Sequence, residues 1–396
     1  MLRDCGNCEA NDWLGMKPIL GNPMGLLPGF RGGERVQVVE FLKRITEASG
    51  VSGAETEVAR IVADTFAGLA DQVRTDALGN VIAFKQGEGP VAGQRSRIML
   101  AGHMDEIGLI ITRVEKGFLR FLTVGGFDAR TLLGQEVVVH GRRPLQGVIG
   151  CRPPHVLPPG ASEKVVPIDE LFIDVGLSPE ALSDAVEVGD IVTARREQIA
   201  LAGSYLAAKG LDDRAAVAAI ALCLDLLSKR RHSWDVYAVA TVQEEVGLRG
   251  AMTSAFGVAP QLAIAIDVTF GNQCGVSETE SVTMGGGPAI ALGANIHPRV
   301  YQRLVDTAKA HDIAYQVEPV PGRSGTDAWA IQVTREGIPT GLLGIPLRYM
   351  HTPVETVHVH DIERTGRLLA EFITGLDDAF AQELAVQVRR LSGRGG

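Results

Sequence analysis

Residues 98–108 read IMLAGHMDEIG. Ile98, Met99, Leu100 and Ala101 form an apolar run with no polar alternation, as expected of a strand covered on both faces. Gly102, His103 and Asp105 follow at once, where the run ends. Runs of the same kind recur at 236–242, 262–266 and 340–345. Helical patterns lie between and after them, from 214 to about 228, from 298 to about 311, and from about 361 onward. This alternation predicts an α/β fold, a mainly parallel sheet covered by helices.

Upstream, Val38, Phe41, Leu42 and Ile45 have the spacing of an amphipathic helix. A second helix follows, with Ser52 and Glu55 as its expected capping box and Val58, Ile61, Val62 and Phe66 on its apolar face. From 110 to 202 the texture changes to short strands at 109–114, 118–124, 136–140, 147–150, 171–175 and 191–194, separated by Gly, Pro and Asp turns. That pattern predicts a small all-β barrel inserted into the larger domain. The expected organisation is an irregular extension at 1–34, a discontinuous catalytic domain at 35–109 and 203–385, the barrel at 110–202, and an irregular tail at 386–396.

The chain has 396 residues, 45% of them hydrophobic, and a formal net charge of −9 without long runs of one sign. Nucleic acid and anionic membranes are therefore poor partners. The longest apolar stretch, 215–224, is half of the roughly 20 residues a membrane-spanning helix needs. Pro23 and Pro28 interrupt the only apolar part of the first thirty residues, unlike a secretory signal, which predicts a cytoplasmic protein. Cys5, Cys8, Cys151, Cys223 and Cys274 form an odd, scattered set that does not suggest a disulfide framework.

Histidines and carboxylates recur just past the apolar runs, where open α/β sheets place their sites. GHMDEIG carries His103 and Asp105, KGLDDR carries Asp212 and Asp213, QEEVGLRGA carries Glu244 and Glu245, IAIDV carries Asp267, and YMHTPVET carries His351. Singly, each is readable as a helix cap, a structural histidine or a surface charge. Independent caps have no reason to gather at successive strand ends. Two metals sharing one carboxylate, each with one further His and one further carboxylate, need two His and three acidic residues. His103, Asp212, Glu245, Asp267 and His351 supply them. Glu244 is left beside a ligand without being one, the placement of a general base. Asp105, two residues from His103, can accept the second imidazole N–H.

In this order, and with a β insertion between the first two, these motifs together with GTDAWAIQ closely resemble the dinuclear aminopeptidases of the glutamyl aminopeptidase and TET peptidase family. The resemblance spans about 35–380. It implies that Asp212 bridges the metals, that His103 and Asp267 complete one site, and that Glu245 and His351 complete the other. It further implies Glu244 as catalytic base, Asp105 as orienter of His103, and two divalent ions, zinc or cobalt. A phosphorylase/hydrolase-like catalytic domain, a PDZ-like dimerisation barrel and a tetrahedral dodecamer acting on peptides complete the expectation. Two features depart from the family pattern: the 34-residue extension, and GRSGTDAWAI, which places Arg323, Ser324 and Trp329 where small residues are usual. Arg323 and Asp327 are candidate substrate contacts, Asp327 being equally readable as the N-cap of the next helix.

The expected activity is hydrolysis of N-terminal residues from peptides. A deacylase or carboxypeptidase with the same metal architecture is the main alternative. A glycoside hydrolase needs two carboxyls facing one sugar, whereas neighbours such as Glu244 and Glu245 point to opposite sides of an extended segment. A non-catalytic binding protein leaves the complete ligand set without a use.

Overall fold

The computed structural model describes residues 36–89, 95–156 and 165–385. The extension, with Cys5 and Cys8, and the tail lie outside these residues. The described residues begin with two amphipathic helices, α1 (Val38–Glu47) and α2 (Thr56–Ala67), which bury every residue the spacing singled out and, in α1, Thr46 as well. The expected capping box does not form. Glu55 occupies the N-cap position without a side-chain cap; its carboxylate accepts from Gly53 N, and Ser52 Oγ donates to Asp105 instead.

Strands β1 (Gln72–Thr75), β2 (Val81–Lys85) and β3 (Arg97–His103) come next. The chain then builds the barrel from β4 (Gly108–Glu115), β5 (Phe118–Val124), β6 (Glu136–His140), β7 (Pro144–Gly150), β8 (Phe172–Asp174) and, after the short helix α3 (Pro179–Ala185), β9 (Ile191–Ala194). These six strands close in the order β4-β5-β8-β7-β6-β9, every pairing antiparallel. Alternate residues fill the interior, among them Leu109, Ile111, Leu119, Phe121, Val137, Val139 and Ile173, with Leu182 of α3 closing one end.

Strands β10 (Ile199–Ala200) and β11 (Tyr205–Ala208) return the chain to the main sheet. Then follow α4 (Leu211–Leu227), β12 (Asp235–Thr241), α5 (Arg249–Val258), β13 (Leu262–Phe270), β14 (Ala289–Gly293), α6 (Pro298–Ala310), β15 (Gln316–Val320), α7 (Asp327–Gln332), β16 (Thr340–Arg348), β17 (Glu355–His358), α8 (Val359–Thr374) and α9 (Asp378–Ala385). The sheet runs β1-β2-β12-β3-β13-β16-β17-β11-β10, with β14 and β15 branching from β16. It is mixed: the four central strands, β12, β3, β13 and β16, are mutually parallel, and antiparallel strands flank them.

Burial on both faces explains the unbroken apolar runs. Ile98 and Leu100 of β3 pack on one face with α1, α2, α4 and α8, while Met99 and Ala101 pack on the other with α5 and α7. Helix α4 is apolar on every side because it lies inside, against β3, β13, α1 and α8, which accounts for the apolar stretch 215–224. At Gly102 a side chain is excluded: a Cβ there would stand 2.8 Å from Ala216 Cβ and 3.2 Å from Asp213 Oδ2. The start of α4 therefore presses directly on the end of β3. Among the described residues no helix is long and apolar enough to cross a membrane.

Candidate metal centre

Strand β3 ends at His103 while its neighbour β13 continues, now paired only with β16. Asp267 thus lies inside β13, three residues before its end, rather than just past it as the sequence pattern suggests. The divergence opens a cleft of about 500 Å³ that His103, Asp212, Glu244, Glu245, Asp267 and His351 all line.

His103 is buried and held from both sides. Its Nδ1 lies 3.1 Å from the Asp105 carbonyl and 3.5 Å from Asp105 Oδ1, and its Nε2 lies 3.1 Å from Asp212 Oδ1 and 4.0 Å from Glu244 Oε2. His351 Nε2 lies 3.4 Å from the other Asp212 oxygen and 3.5 Å from Glu245 Oε2. Asp212 therefore stands between the two imidazoles, one oxygen toward each. Donor atoms of His103, Asp212 and Glu245 lie within 4.8 Å of one another, as do those of His103, Asp213 and Asp267.

Asp105 does more than face His103. It accepts from the backbone N–H of Glu244 at 3.1 Å and of Glu245 at 3.3 Å, and from Ser52 Oγ at 2.6 Å. Glu244 and Glu245 do not lie in an extended segment. Glu244 O accepts from Gly247 N and Leu248 N in a tight turn, and both glutamates line the same cleft. Gln243, Leu248, Tyr349 and His351 all have φ near +55 to +59°, so the two loops that carry Glu244, Glu245 and His351 hold left-handed backbone at non-glycine residues.

Two acidic residues that the sequence left without a role, Glu355 and Asp213, belong to the site. Glu355 lies under the site and accepts from Asp212 N and His351 N, both at 3.0 Å. Asp213 is fully buried; its Oδ2 accepts from His103 N at 3.2 Å. Neither Asp212 nor Asp213 has helical backbone angles, so regular α4 begins at Arg214. The DD pair and the glutamate four residues after His351 were the available signals. Asp327 is not the N-cap of α7; Thr326 is, accepting from Ala328 N. Asp327 is buried behind the site and accepts from Thr241 Oγ1 at 2.6 Å, while Arg323 lines the cleft with its guanidinium 4.9 Å from the Trp329 ring centre.

This arrangement crowds buried carboxyls around two imidazoles, and among the described residues no lysine or arginine is ion-paired with any of them. Burial pushes the Glu244 carboxyl up to about 10, against the lowering pull of His103, and pushes Glu245 up to about 7. Burial also raises Asp213 and Asp267 well above the usual range, with like charge on neighbouring carboxyls adding to it. Asp212 goes the other way: burial raises it, but hydrogen bonds from His103 and His351 outweigh that and hold it low. Such a cluster is short of positive charge, and divalent cations supply it where oxygen and imidazole donors converge. The residues fit metal ions.

The profile of the M42 glutamyl aminopeptidase family matches residues 79–368. The chain belongs to that family. It is a metal-dependent aminopeptidase, a hydrolase of peptide bonds. It is 37% identical over 337 residues to a lysyl aminopeptidase of Pyrococcus furiosus, covering 83% of this chain and 94% of the relative. Among solved structures, an aminopeptidase from the archaeon Desulfurococcus kamchatkensis is 39% identical with a TM-score of 0.82, covering 89% of this chain and 99% of that one. The TET1 peptidase of Pyrococcus horikoshii, described as assembling into a tetrahedron or a large octahedral shell, is 34% identical with a TM-score of 0.76, covering 86% of this chain and all of that one.

Proposed function

We propose that this aminopeptidase works with two divalent ions, zinc or cobalt. Asp212 is shared between them, His103 and Asp267 serve one, and Glu245 and His351 serve the other. When bound, the ions supply Lewis acidity for the substrate carbonyl and lower the pKa of water. Glu244 is the general base, taking a proton from the attacking water and delivering it to the leaving amine. Asp105 is a positioning residue: it orients His103 and fixes the backbone that carries Glu244 and Glu245. Glu355 does the same for Asp212 and His351. The observation that carries this reading is the separation of roles within one turn. Glu245 stands 3.5 Å from His351, whereas Glu244 faces the cleft from the His103 side at 4.0 Å.

Glu244→Gln should lower kcat by about 10²- to 10⁴-fold while leaving metal content intact, the range removed with a general base. Glu245→Ala should lose metal. Elemental analysis finding Glu244→Gln stripped of metal would overturn the assignment. Acetylating the substrate amine should abolish cleavage; equal rates on blocked and free substrates would favour the deacylase reading.

We further propose a cytoplasmic closed homo-oligomer, a dodecamer built from dimers, with residues 110–202 as the dimerisation domain inserted into a catalytic domain of 35–109 and 203–385. The assembling relative supports this, as do the exposed Leu122 and Val148 on the barrel strands. Light scattering on the full chain and on a chain starting at Arg35 checks it, a monomer in both being the contrary result.

A further inference from the structure

Strand β15 lies beyond β14 and, among the described residues, pairs with no other strand; its sequence QVEPV places Gln316, Glu318 and Val320 on one face. Glu318 lines the same cleft as the metal-site residues. Its Oε1 accepts from Thr269 Oγ1 at 2.6 Å, and its Oε2 lies against Gly344, where a Cβ would approach it to 3.1 Å and Thr269 Cγ2 to 2.8 Å. A glycine at 344 is thus what leaves room for the Glu318–Thr269 pair. Among the described residues no lysine or arginine is ion-paired with Glu318, and burial raises its carboxyl above the usual range. Among the described residues, Arg323 is the one arginine or lysine lining the cleft, and it is exposed and stacked on Trp329.

The placement sets a length. Gly344 is in register with Asp267 across β16 and β13, and Thr269 is two residues farther along β13. Asp267 and Thr269 therefore share a face about 7 Å apart, the strand rise over two residues. Val320, Leu342 and Trp329 give the same cleft apolar walls. A lysine side chain is an apolar four-carbon stem ending in an ammonium group, about 6 Å long.

We propose that Glu318 is a specificity-determining residue that selects a basic side chain, lysine above all, on the substrate's N-terminal residue. The inference rests on the metal-centre reading, which puts the scissile end of the substrate beside His103 and Asp267. The stem packs between the apolar walls, and the ammonium group donates to the Glu318 carboxylate. Arg323, held on the Trp329 ring, stays clear of that carboxylate.

The test compares lysyl, leucyl and glutamyl p-nitroanilides on the metal-loaded enzyme, wild type against Glu318→Gln, which keeps an acceptor for Thr269. The wild type should favour lysyl, and Glu318→Gln should lower the lysyl-over-leucyl ratio of kcat/KM by about 10- to 100-fold, as loss of a charge-assisted hydrogen bond does. Glu318→Lys should turn the preference toward glutamyl. A wild type that prefers glutamyl or leucyl, or a ratio unmoved by Glu318→Gln, would overturn the proposal. Calorimetric binding of free lysine against norleucine, its uncharged counterpart, gives a readout independent of turnover: lysine should bind more tightly to wild type and lose that advantage in Glu318→Gln. If no free-amine anilide is cleaved yet lysine still binds selectively, the catalytic reading fails and the pocket assignment stands; if norleucine binds as well as lysine, the pocket assignment fails.

Discussion

Replacing Glu106 by glutamine perturbs the buried joint between β3, the barrel and α4. Glu106 is 3% exposed and sits between two cations, accepting from Lys209 Nζ at 2.8 and 2.9 Å and from Arg214 Nη2 at 3.1 Å. Arg214 is fully buried and Lys209 nearly so. Both also donate to backbone carbonyls, Lys209 to Ala48 and Arg214 to Ile45, Ala48 and Met104, so neither can leave for solvent without unmaking α1 and the β3–β4 link. With Glu106 present the joint carries one net positive charge; with glutamine it carries two. Removing one partner of a buried ion pair costs about 3–5 kcal/mol, and the retained carbonyl acceptors place Glu106→Gln near the lower end, about 3 kcal/mol. Urea unfolding at matched metal and protein concentration should show this as a lower midpoint with an unchanged slope. Paired cations hold the Glu106 carboxyl below its ordinary value despite burial, so its contribution is present at neutral pH and is lost as pH falls through the lowered folded value. The gap between wild type and Glu106→Gln should therefore close in acid. Glu106→Gln combined with Lys209→Met, which removes one stranded cation, should be more stable than Glu106→Gln alone. A loss under 1 kcal/mol, or a double variant no better than the single, would refute the reasoning.

Gly102→Ala should cost about 1–3 kcal/mol and weaken metal retention, because the new methyl is too close to Ala216 and crowds Asp213; calorimetric melting with metal analysis checks both. Chelation should abolish activity and lower the melting temperature, with recovery on adding zinc or cobalt. Because burial leaves Glu244 and Glu245 with raised carboxyls before a cation arrives, metal binding should release protons, seen by titration calorimetry in buffers of different ionisation enthalpy.

The sheet was legible because its central strands are buried on both faces and so read as unbroken apolar runs. Helix α4 was legible for the same reason. The barrel showed in the change from long runs to short ones broken by Gly, Pro and Asp. His103, Asp212, Glu244, Glu245, Asp267 and His351 stood out because they come just past apolar runs or at the start of a helical pattern, positions where a cluster of polar groups needs a cause. What tertiary structure alone decided was which way neighbouring groups face. Asp212 and Asp213 are adjacent and chemically alike, and only the non-helical backbone at the start of α4 turns one toward both imidazoles and the other behind His103. Likewise the turn after β12, not the spacing of Glu244 and Glu245, sends both carboxyls into one cleft. Ser52 and Glu55 have the spacing of a cap, yet Ser52 bonds to Asp105, 53 residues away, because folding brings a buried carboxylate with free acceptor sites beside it. Glu318 lies in a proline-flanked segment with little strand signal, and it becomes a cleft residue only because β14 and β15 fold back against β16. Local sequence determines where the chain must be buried; which polar groups then meet depends on backbone angles and on contacts between distant segments, which no local pattern encodes.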